Sequence, residues 1–473
     1  MLTLADAIEA LTHSRPEIAE MVITEAAIDS RQAIPGGMFV ALPGERVDGH
    51  EFVTEAFRRG AVFALIEHEI PGNYPTLDFR KNQIPTLVDP IDVPLCLLVD
   101  NSLMALQKIA AFWRRKLNLR VIGITGSVGK STTKEIIAEV LSQRFHTLKS
   151  PGNLNNEIGL PLTLLKLGSG YERAVLEMGF YVPGEIKFLC DIALPSVGVI
   201  TNIGTVHAER AGSQEEIARG KSELVQCLPP APEGTAVLNY DDPWVRWMAD
   251  KTSARIFYYG LDSKADLWAD EVESEGLEGI RFRLHYGDET LYTRAPMIGQ
   301  HSVHTALRAT AVGLVEGLTW QEIFDGLQRG HTQLRLVAVR TESGALLLDD
   351  TYNASPESML AALNMLEEME GHKIAVLGDM LELGQYEKQG HEMVGVRAAR
   401  VVDVLVTLGQ RAHMFADAAR RAGMNDDDIF EFEDIEKVTE WLRSHLTSVD
   451  AVLLKGSHDL RMERITSMLE VQE

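Results

Sequence analysis

The segment Val121-Ile-Gly-Ile-Thr-Gly-Ser-Val-Gly-Lys-Ser-Thr-Thr133 demands a strand, a glycine turn and a helix in immediate succession. Its apolar run ends in Gly126-Ser127-Val128-Gly129-Lys130-Ser131, and the amphipathic stretch Lys134 to Arg144 follows directly. Glycines there let backbone N–H groups turn inward around phosphate oxygens, and the helix N-terminus adds a partial positive charge. Lys130 is spaced to reach the β- and γ-phosphates of a nucleotide, and the Ser131 hydroxyl to ligate Mg²⁺. In the common spacing a glycine stands five residues before the Gly-Lys pair. Here that position, five residues before Gly129, is Ile124, and the loop's first glycine comes at Gly126, so the loop is a variant. The segment implies binding of ATP or GTP and leaves the use of the energy open.

A strand–loop–helix of this kind is one unit of a parallel α/β sheet, and the rest of the chain supplies more. Its 473 residues are enough for two to four globular domains. Residues 1 to about 105 read as mixed α/β, with strands at Met38–Leu42 and Val62–Ile66 and a proline-rich interval from Pro71 to Pro94. Residues 106–332 alternate apolar strands (Val121–Ile124, Ala174–Met178, Val197–Asn202, Ala236–Asn239) with amphipathic helices, the pattern of a helix-covered parallel sheet. Residues 333–473 repeat that alternation, with strands at Ala345–Leu348, Lys373–Leu377, Val404–Leu408 and Ala451–Leu454. Helices are expected between them at Ser358–Met369, His391–Ala399 and Ile435–His445.

A formal net charge of −24 argues against a general nucleic-acid binder or a protein held on anionic lipid. Sites for phosphorylated substrates must then be local basic pockets. Cys96, Cys190 and Cys227 have neither disulfide-framework nor metal spacing, so buried reduced thiols are expected. The first residues read as a short amphipathic helix without the basic start and apolar core of a signal peptide, and no apolar run approaches a membrane span. A soluble cytoplasmic protein is the expectation.

Several further residues sit where chemistry is done in such sheets. Glu177, in Ala174-Val-Leu-Glu-Met-Gly179, ends a buried strand at the edge that faces ligands, where a carboxylate can hold Mg²⁺. A capping or solvated glutamate is the alternative. His207 closes Val197-Gly-Val-Ile-Thr-Asn-Ile-Gly-Thr-Val-His, and spacing alone leaves metal or phosphate contact and a structural role equally open. Lys221, on an amphipathic helix, reads locally as a surface lysine. Ser263-Lys-Ala-Asp266 lacks the context of a guanine-reading motif and reads as a loop, so ATP is preferred to GTP. Asp349 and Asp350 lead into a polar loop, where they can bind a ribose hydroxyl or cap the next helix. Lys455 and Ser457 follow a strand and suit a small anion such as a carboxylate.

Taken together, these motifs resemble the Mur ligase family over nearly the whole chain. Thr-Gly-Ser-x-Gly-Lys is that family's form of the phosphate loop. Gly152-Asn-Leu-Asn-Asn-Glu-Ile-Gly-Leu-Pro-Leu-Thr-Leu-Leu165, Asp350-Thr-Tyr-Asn-Ala-Ser-Pro-Glu-Ser-Met359, Gly378-Asp-Met-Leu-Glu-Leu-Gly384 and Lys455-Gly-Ser457 are similar to the branch that adds D-alanyl-D-alanine to a UDP-muramoyl tripeptide. Asp29-Ser-Arg31, Phe39-Val-Ala-Leu-Pro-Gly44 and Asp48-Gly-His50 resemble its UDP-binding domain. The resemblance implies three α/β domains: an N-terminal UDP-binding domain (1–105), a central parallel-sheet P-loop ATPase domain (106–332) and a C-terminal Rossmann-like domain (333–473).

The resemblance also implies an ATP-dependent amide ligase acting through an acyl phosphate, with ATP and Mg²⁺ (two ions) as cofactors. It implies UDP-N-acetylmuramoyl-tripeptide and D-alanyl-D-alanine as substrates, no nucleic-acid partner, no membrane insertion and a monomer. Catalytic or metal roles fall to Lys130, Ser131, Glu177, His207 and Lys221, the last in the carbamylated form its equivalents take. ATP contacts fall to Thr125 through Thr132, with Ser302, Thr305, Arg335 and Asp350. Ser30, Arg31, Gly44, Asp48, Gly49, His50, Asn153, Asn155 and Asn156 are implied for the UDP-muramoyl peptide, and Asn353, Lys455 and Ser457 for the dipeptide. Two departures stand out: Ser302 and Thr305 occupy places where relatives usually have asparagines, and Phe180-Tyr181 stands where they carry smaller or amide residues. The Gly152–Leu165 motif and the lack of Asp-Asn-Pro-Arg argue against the diaminopimelate-adding branch. Retention of Lys130, Glu177, His207 and Lys221 together argues against a nucleotide module without catalysis.

Overall fold

The computed structural model describes residues 1–17, 19–44, 47–80, 92–205, 208–329 and 337–469. They form three sheets and divide into two compact units. The first comprises residues 1–123, 145–179 and 185–197, and the second 124–144, 180–184 and 198–473.

The first unit holds a five-stranded sheet of β1 (Ala26–Ala27), β2 (Met38–Val40), β3 (Phe63–Ile66), β4 (Thr76–Asp78) and β5 (Leu95–Leu98), in the order β1-β2-β3-β5-β4. Every pairing is parallel, and β2, β3 and β5 are buried at each position, as continuous apolar runs in a covered parallel sheet should be. The N-terminal helix Leu4–Thr12 opens with a capping box between Thr3 and Asp6 and stops at His13, whose φ is 58°. Helix Ser102–Lys116 starts where the Asn101 side chain accepts from Met104 N at 2.7 Å. Near its end Arg114 is buried but donates to the carbonyls of Leu117, Leu119, Ala193 and Leu194. The same unit contains the start of β6 (Arg120–Thr125) with β8 (Arg173–Glu177) beside it and β7 (Thr147–Lys149) parallel to β8.

The second unit begins with the end of β6 and the helix Lys130–Leu141. Its first sheet carries β9 (Val197–Ile200, from Gly198), β10 (Thr235–Asn239), β11 (Arg255–Gly260), β12 (Leu267–Ser274), β13 (Ile280–Tyr286) and β14 (Glu289–Ala295) in spatial sequence. The expected parallel sheet is present and is extended at one edge by antiparallel strands. β10, β11 and β12 pair in parallel, but β12, β13 and β14 form an antiparallel meander. The cause is local: Gly287 (φ +56°) and Asp288 make a two-residue turn that no parallel connection could use.

The second sheet of this unit carries β15 (Val337–Arg340), β16 (Leu346–Asp349), β17 (His372–Gly378), β18 (Val404–Leu408), β19 (Ile429–Phe432) and β20 (Asp450–Lys455), ordered β15-β16-β20-β17-β18-β19. All pairs are parallel except the edge strand β15. Helices Pro356–Glu367, Glu387–Val401 and His413–Arg421 build an apolar cluster on one face, and Ile435–His445 and Glu463–Leu469 build another on the opposite face. That is a doubly wound sheet, in which ligands meet the carboxyl ends of the strands. No helix of the described residues is long and apolar enough to cross a membrane.

Candidate functional site

The glycine loop after β6 is held by the loop that follows β9. Ser127 N donates to Asn202 O at 2.9 Å, and Val128 N to the Asn202 side-chain oxygen at 2.9 Å. The Thr201 hydroxyl donates to Val128 O at 2.7 Å, and Gly204 N to Ser127 Oγ at 2.8 Å. Gly126 (φ +147°) and Gly129 (φ +81°) take backbone angles that side chains resist, and a Cβ on Gly126 would lie 1.8 Å from Thr201 Oγ1. Helix Lys130–Leu141 starts without a side-chain cap, so its first N–H groups point into the loop. Ser131 is buried beside them.

Two ammonium groups share one carbonyl here. Lys130 Nζ donates to Gly126 O at 2.9 Å, and Lys221 Nζ to the same oxygen at 3.0 Å. Lys221 is 1% exposed, so its local reading as a surface lysine is wrong. The reason lies in its neighbour. Gly220 has no side chain, and a Cβ there would meet Phe180 at 2.0 Å, so the Phe180 ring packs onto this helix with Lys221 Nζ 4.7 Å from its centroid. Phe180 is therefore core, whereas Tyr181 is exposed beneath the Arg210 guanidinium.

On helix Val303–Val315, the Ser302 and Thr305 hydroxyls behave differently. Ser302 Oγ donates back to Ile298 O at 2.7 Å, while Thr305 Oγ1 accepts from Arg308 Nη2 at 2.8 Å. Arg308 was not among the sequence candidates. It is 5% exposed and its Nη2 lies 3.5 Å from where a Cβ of Gly129 would stand. The available signal was its being the one Arg, Lys, Asp or Glu in a helix that is otherwise apolar but for His304, Thr305 and Thr310.

The second sheet adds another group. Lys455 Nζ bonds Asp350 Oδ2 at 2.5 Å and Asn353 O at 3.0 Å, joining three candidates assigned to two different ligands. Ser457 Oγ accepts from Leu381 N at 3.0 Å. Asp349 accepts from Thr351 and Thr466 hydroxyls and is a structural anchor. Glu357, also unforeseen, accepts from Thr205 N at 3.0 Å and Thr205 Oγ1 at 3.3 Å, 152 residues away along the chain. His207 and Arg335 lie outside the described residues.

In the first unit Glu177 is 2% exposed at the end of β8, and its Oε1 accepts from Asn155 Nδ2 at 3.0 Å. Its own N–H donates to Ser150 Oγ at 3.2 Å. The Asn156 side-chain oxygen accepts from Gly159 N at 2.8 Å at the start of helix Gly159–Leu165, and Asn153 is exposed. Asp48 accepts from His50 N (3.0 Å) and meets His50 Nδ1 at 2.6 Å. The backbone N–H of His50, then its ring, hold the Asp48 carboxyl down to about 2. Asp48, His50 and His68 offer donor atoms within 4.8 Å of one another. Both His50 nitrogens are already engaged, Nε2 by Glu67 N at 2.8 Å, so the trio reads as a loop lock rather than a metal centre. Gly49 is required there, because a Cβ would sit 2.7 Å from the Leu42 backbone. Ser30 is buried and Arg31 is exposed, paired with Asp29 at 2.7 Å. A Cβ on Gly44 would stand 2.7 Å from Val47 O.

Comparison with known proteins places this arrangement. Three family models match in chain order: "Mur ligase family, catalytic domain" at residues 22–87, "Mur ligase middle domain" at 124–313 and "Mur ligase, glutamate ligase domain" at 334–458. The UDP-N-acetylmuramoyl-tripeptide–D-alanyl-D-alanine ligase of Bacillus subtilis (strain 168) is 34% identical over 97% of this chain and 95% of its own. The Escherichia coli (strain K12) protein of the same name is 31% identical over 96% and 95%. A crystal structure of MurF from Acinetobacter baumannii superimposes with a TM-score of 0.82 at 31% identity, covering 98% of this chain and 97% of that one. The MurF ligase of Thermotoga maritima in complex with ADP superimposes with a TM-score of 0.77 at 30% identity, covering 95% and 98%.

Proposed function

This chain belongs to the Mur ligase family, and from that premise we propose that it joins D-alanyl-D-alanine to the terminal carboxylate of UDP-N-acetylmuramoyl-tripeptide. ATP is converted to ADP and phosphate, and the product is the UDP-linked pentapeptide of peptidoglycan synthesis. One observation carries the reading: relatives named for this activity match nearly the full length of both chains at 31–34% identity.

A carboxylate is a poor acyl donor because oxide leaves badly. Phosphorylation by ATP turns it into an acyl phosphate, the free amine of the dipeptide attacks, and the tetrahedral intermediate expels phosphate. Both steps concentrate negative charge, so fixed cations and N–H donors supply most of the stabilisation. Lys130 is the proposed phosphoryl clamp, supported by its hold on Gly126 O at 2.9 Å and by the uncapped N–H groups beyond it. The backbone of Thr125 through Thr132 cradles the phosphates. Mg²⁺, when bound, would neutralise phosphate charge, and the buried Ser131 hydroxyl is a hard oxygen donor that would hold it; the buried Glu177 carboxylate is proposed in its own right as a metal-binding oxygen. His207 is proposed as a further ligand from its place after β9. Lys221 is proposed to act as a carbamate. Burial of its amine supports this, since the modification turns a cation into a carboxylate.

The first 105 residues are proposed to bind the UDP-muramoyl peptide, through Ser30, Arg31, Gly44, Asp48, Gly49 and His50, with Asn153, Asn155 and Asn156 toward the peptide. Residues 106–332 hold ATP, and residues 333–473 contribute Arg335 and Asp350 to the nucleotide and Asn353, Lys455 and Ser457 to the dipeptide. The Asp350–Lys455 pair at 2.5 Å suggests that these last two pockets adjoin. Ser302 and Thr305 are proposed on the adenine side. Two Mg²⁺ ions, a monomer and a cytoplasmic location complete the proposal.

The test is phosphate release by the purified protein with ATP, coupled to mass detection of the pentapeptide. Release that requires both the tripeptide substrate and D-alanyl-D-alanine supports the reading. Release with a different amino acid in place of the dipeptide, or none with any acceptor, refutes it.

A further inference from the structure

Arg308 poses an electrostatic problem. Its guanidinium is charged at every physiological pH, yet the side chain is 5% exposed. Nη2 donates to Thr305 Oγ1 at 2.8 Å, the group lies 5.9 Å from the Tyr259 ring centroid, and Nε has no hydrogen-bond partner. Among the described residues no carboxylate pairs with it. The Tyr259 hydroxyl donates to Ile200 O and Thr201 O at 3.1 and 3.3 Å and offers Arg308 a neutral oxygen, not a countercharge.

The surroundings make the problem worse. Nη2 and Nη1 stand 3.5 and 3.9 Å from the Cβ position of Gly129, the residue that opens helix Lys130–Leu141. That helix presents its positive end there, and Lys130 reaches the same loop. A buried cation beside other positive charge is tolerated when an anion completes the set. The guanidinium spans from Thr305, on the adenine-side segment, to Gly129 in the phosphate loop. An anion between those two points is the α,β part of a nucleoside polyphosphate.

We propose that Arg308 is a nucleotide-binding residue that contacts the α- and β-phosphates of bound ATP and ADP, the phosphates that are not transferred. The proposal rests on the ATP-binding reading above. Arg308 supplies ground-state affinity and positions the chain of phosphates, while Lys130 serves the transferred group.

The experiment is calorimetric titration of the full-length protein with ADP and, separately, with the UDP-tripeptide substrate, for wild type, Arg308→Met and Arg308→Lys. Thermal melts of the free proteins accompany it. Arg308→Met should weaken ADP by about tenfold to a hundredfold, the loss expected for a charged hydrogen bond to phosphate. Its affinity for the UDP substrate and its melting temperature without ligand should hold, because the free protein is relieved of a buried charge without a counterion while it loses the bond to Thr305, two changes of opposite sign. Arg308→Lys should recover part of the ADP affinity. ADP binding by Arg308→Met within about twofold of wild type would overturn the proposal, as would equal weakening of both ligands with a lowered melt. Wild type that binds no ADP would instead overturn the ATP reading, and this proposal with it.

Discussion

Gly126→Ala is the substitution whose consequence the geometry defines most sharply. The residue has φ +147°, and a methyl there would lie 1.8 Å from Thr201 Oγ1, 2.9 Å from Thr201 Cβ and 3.1 Å from Thr201 N. Holding alanine at that φ costs about 1–3 kcal/mol. Moving the Thr201 hydroxyl breaks its 2.7 Å bond to Val128 O, about 1 kcal/mol more, and displacing the Thr201 backbone adds overpacking of about 1–3 kcal/mol. The total is about 3–7 kcal/mol, a large share of a typical domain's whole stability. Rebuilding the half-buried side of the loop, Val128 to Lys130, is a cheaper relief than unfolding, so the loss should appear mainly in ligand affinity. ADP titration should show weakening of at least about a hundredfold, with a melting temperature lowered by only several degrees. Adding Thr201→Gly removes the two closest contacts, so the double variant should bind ADP better than Gly126→Ala alone, with coupling of about 1–3 kcal/mol. Wild-type ADP affinity in Gly126→Ala, or strict additivity in the double variant, would refute the reasoning.

Three further outcomes follow from the same structure. Lys221→Ala should lower phosphate release by about a hundredfold or more, and added short-chain carboxylate should restore part of it; full activity without added carboxylate would sink the carbamate role. Glu357→Ala removes the acceptor of Thr205 N–H and hydroxyl, so kcat should fall by about tenfold with the KM of the UDP substrate unchanged; steady-state kinetics checks this, and an unchanged kcat contradicts it. The Asp6 carboxyl, which burial pushes up, is held down to about 2 because Lys116, Arg15 and the Thr3 N–H outweigh that burial. A depressed acid stabilises the fold fully above pH of about 4, and the benefit is lost as pH falls toward 2, here about 1 kcal/mol after solvent screening. The melting gap between wild type and Asp6→Asn should therefore be constant from neutral to mildly acidic pH and close below pH of about 4; a gap that widens on acidification would contradict the pairing.

What could be seen in advance was local. The phosphate loop is legible because strand, glycines, lysine and helix are contiguous, and Glu177 because strand ends face ligands in such sheets. Lys221 misleads a local reading, since only the packing of Phe180 against Gly220 reveals that its helix face is interior. The antiparallel meander left its mark in the alternation of Ile280, Phe282 and Leu284 with Arg281 and Arg283, and in the Gly287-Asp288 turn; the dominant parallel pattern masked it. The contact of Glu357 with Thr205 has no sequence signal at all, because 152 residues separate the partners. Arg308 had a weak one, the single Arg, Lys, Asp or Glu of a mostly apolar helix, whose meaning depends on Gly129 being its neighbour in space.

The central claim is that this phosphate loop aims ATP at a peptide carboxylate. Synthesis of the UDP-tripeptide substrate with ¹⁸O in its terminal carboxylate, turnover with ATP and D-alanyl-D-alanine, and mass analysis of the released phosphate test it directly. An acyl phosphate intermediate predicts one ¹⁸O in each phosphate formed. Phosphate that carries only unlabelled oxygen, alongside pentapeptide formation, would contradict it.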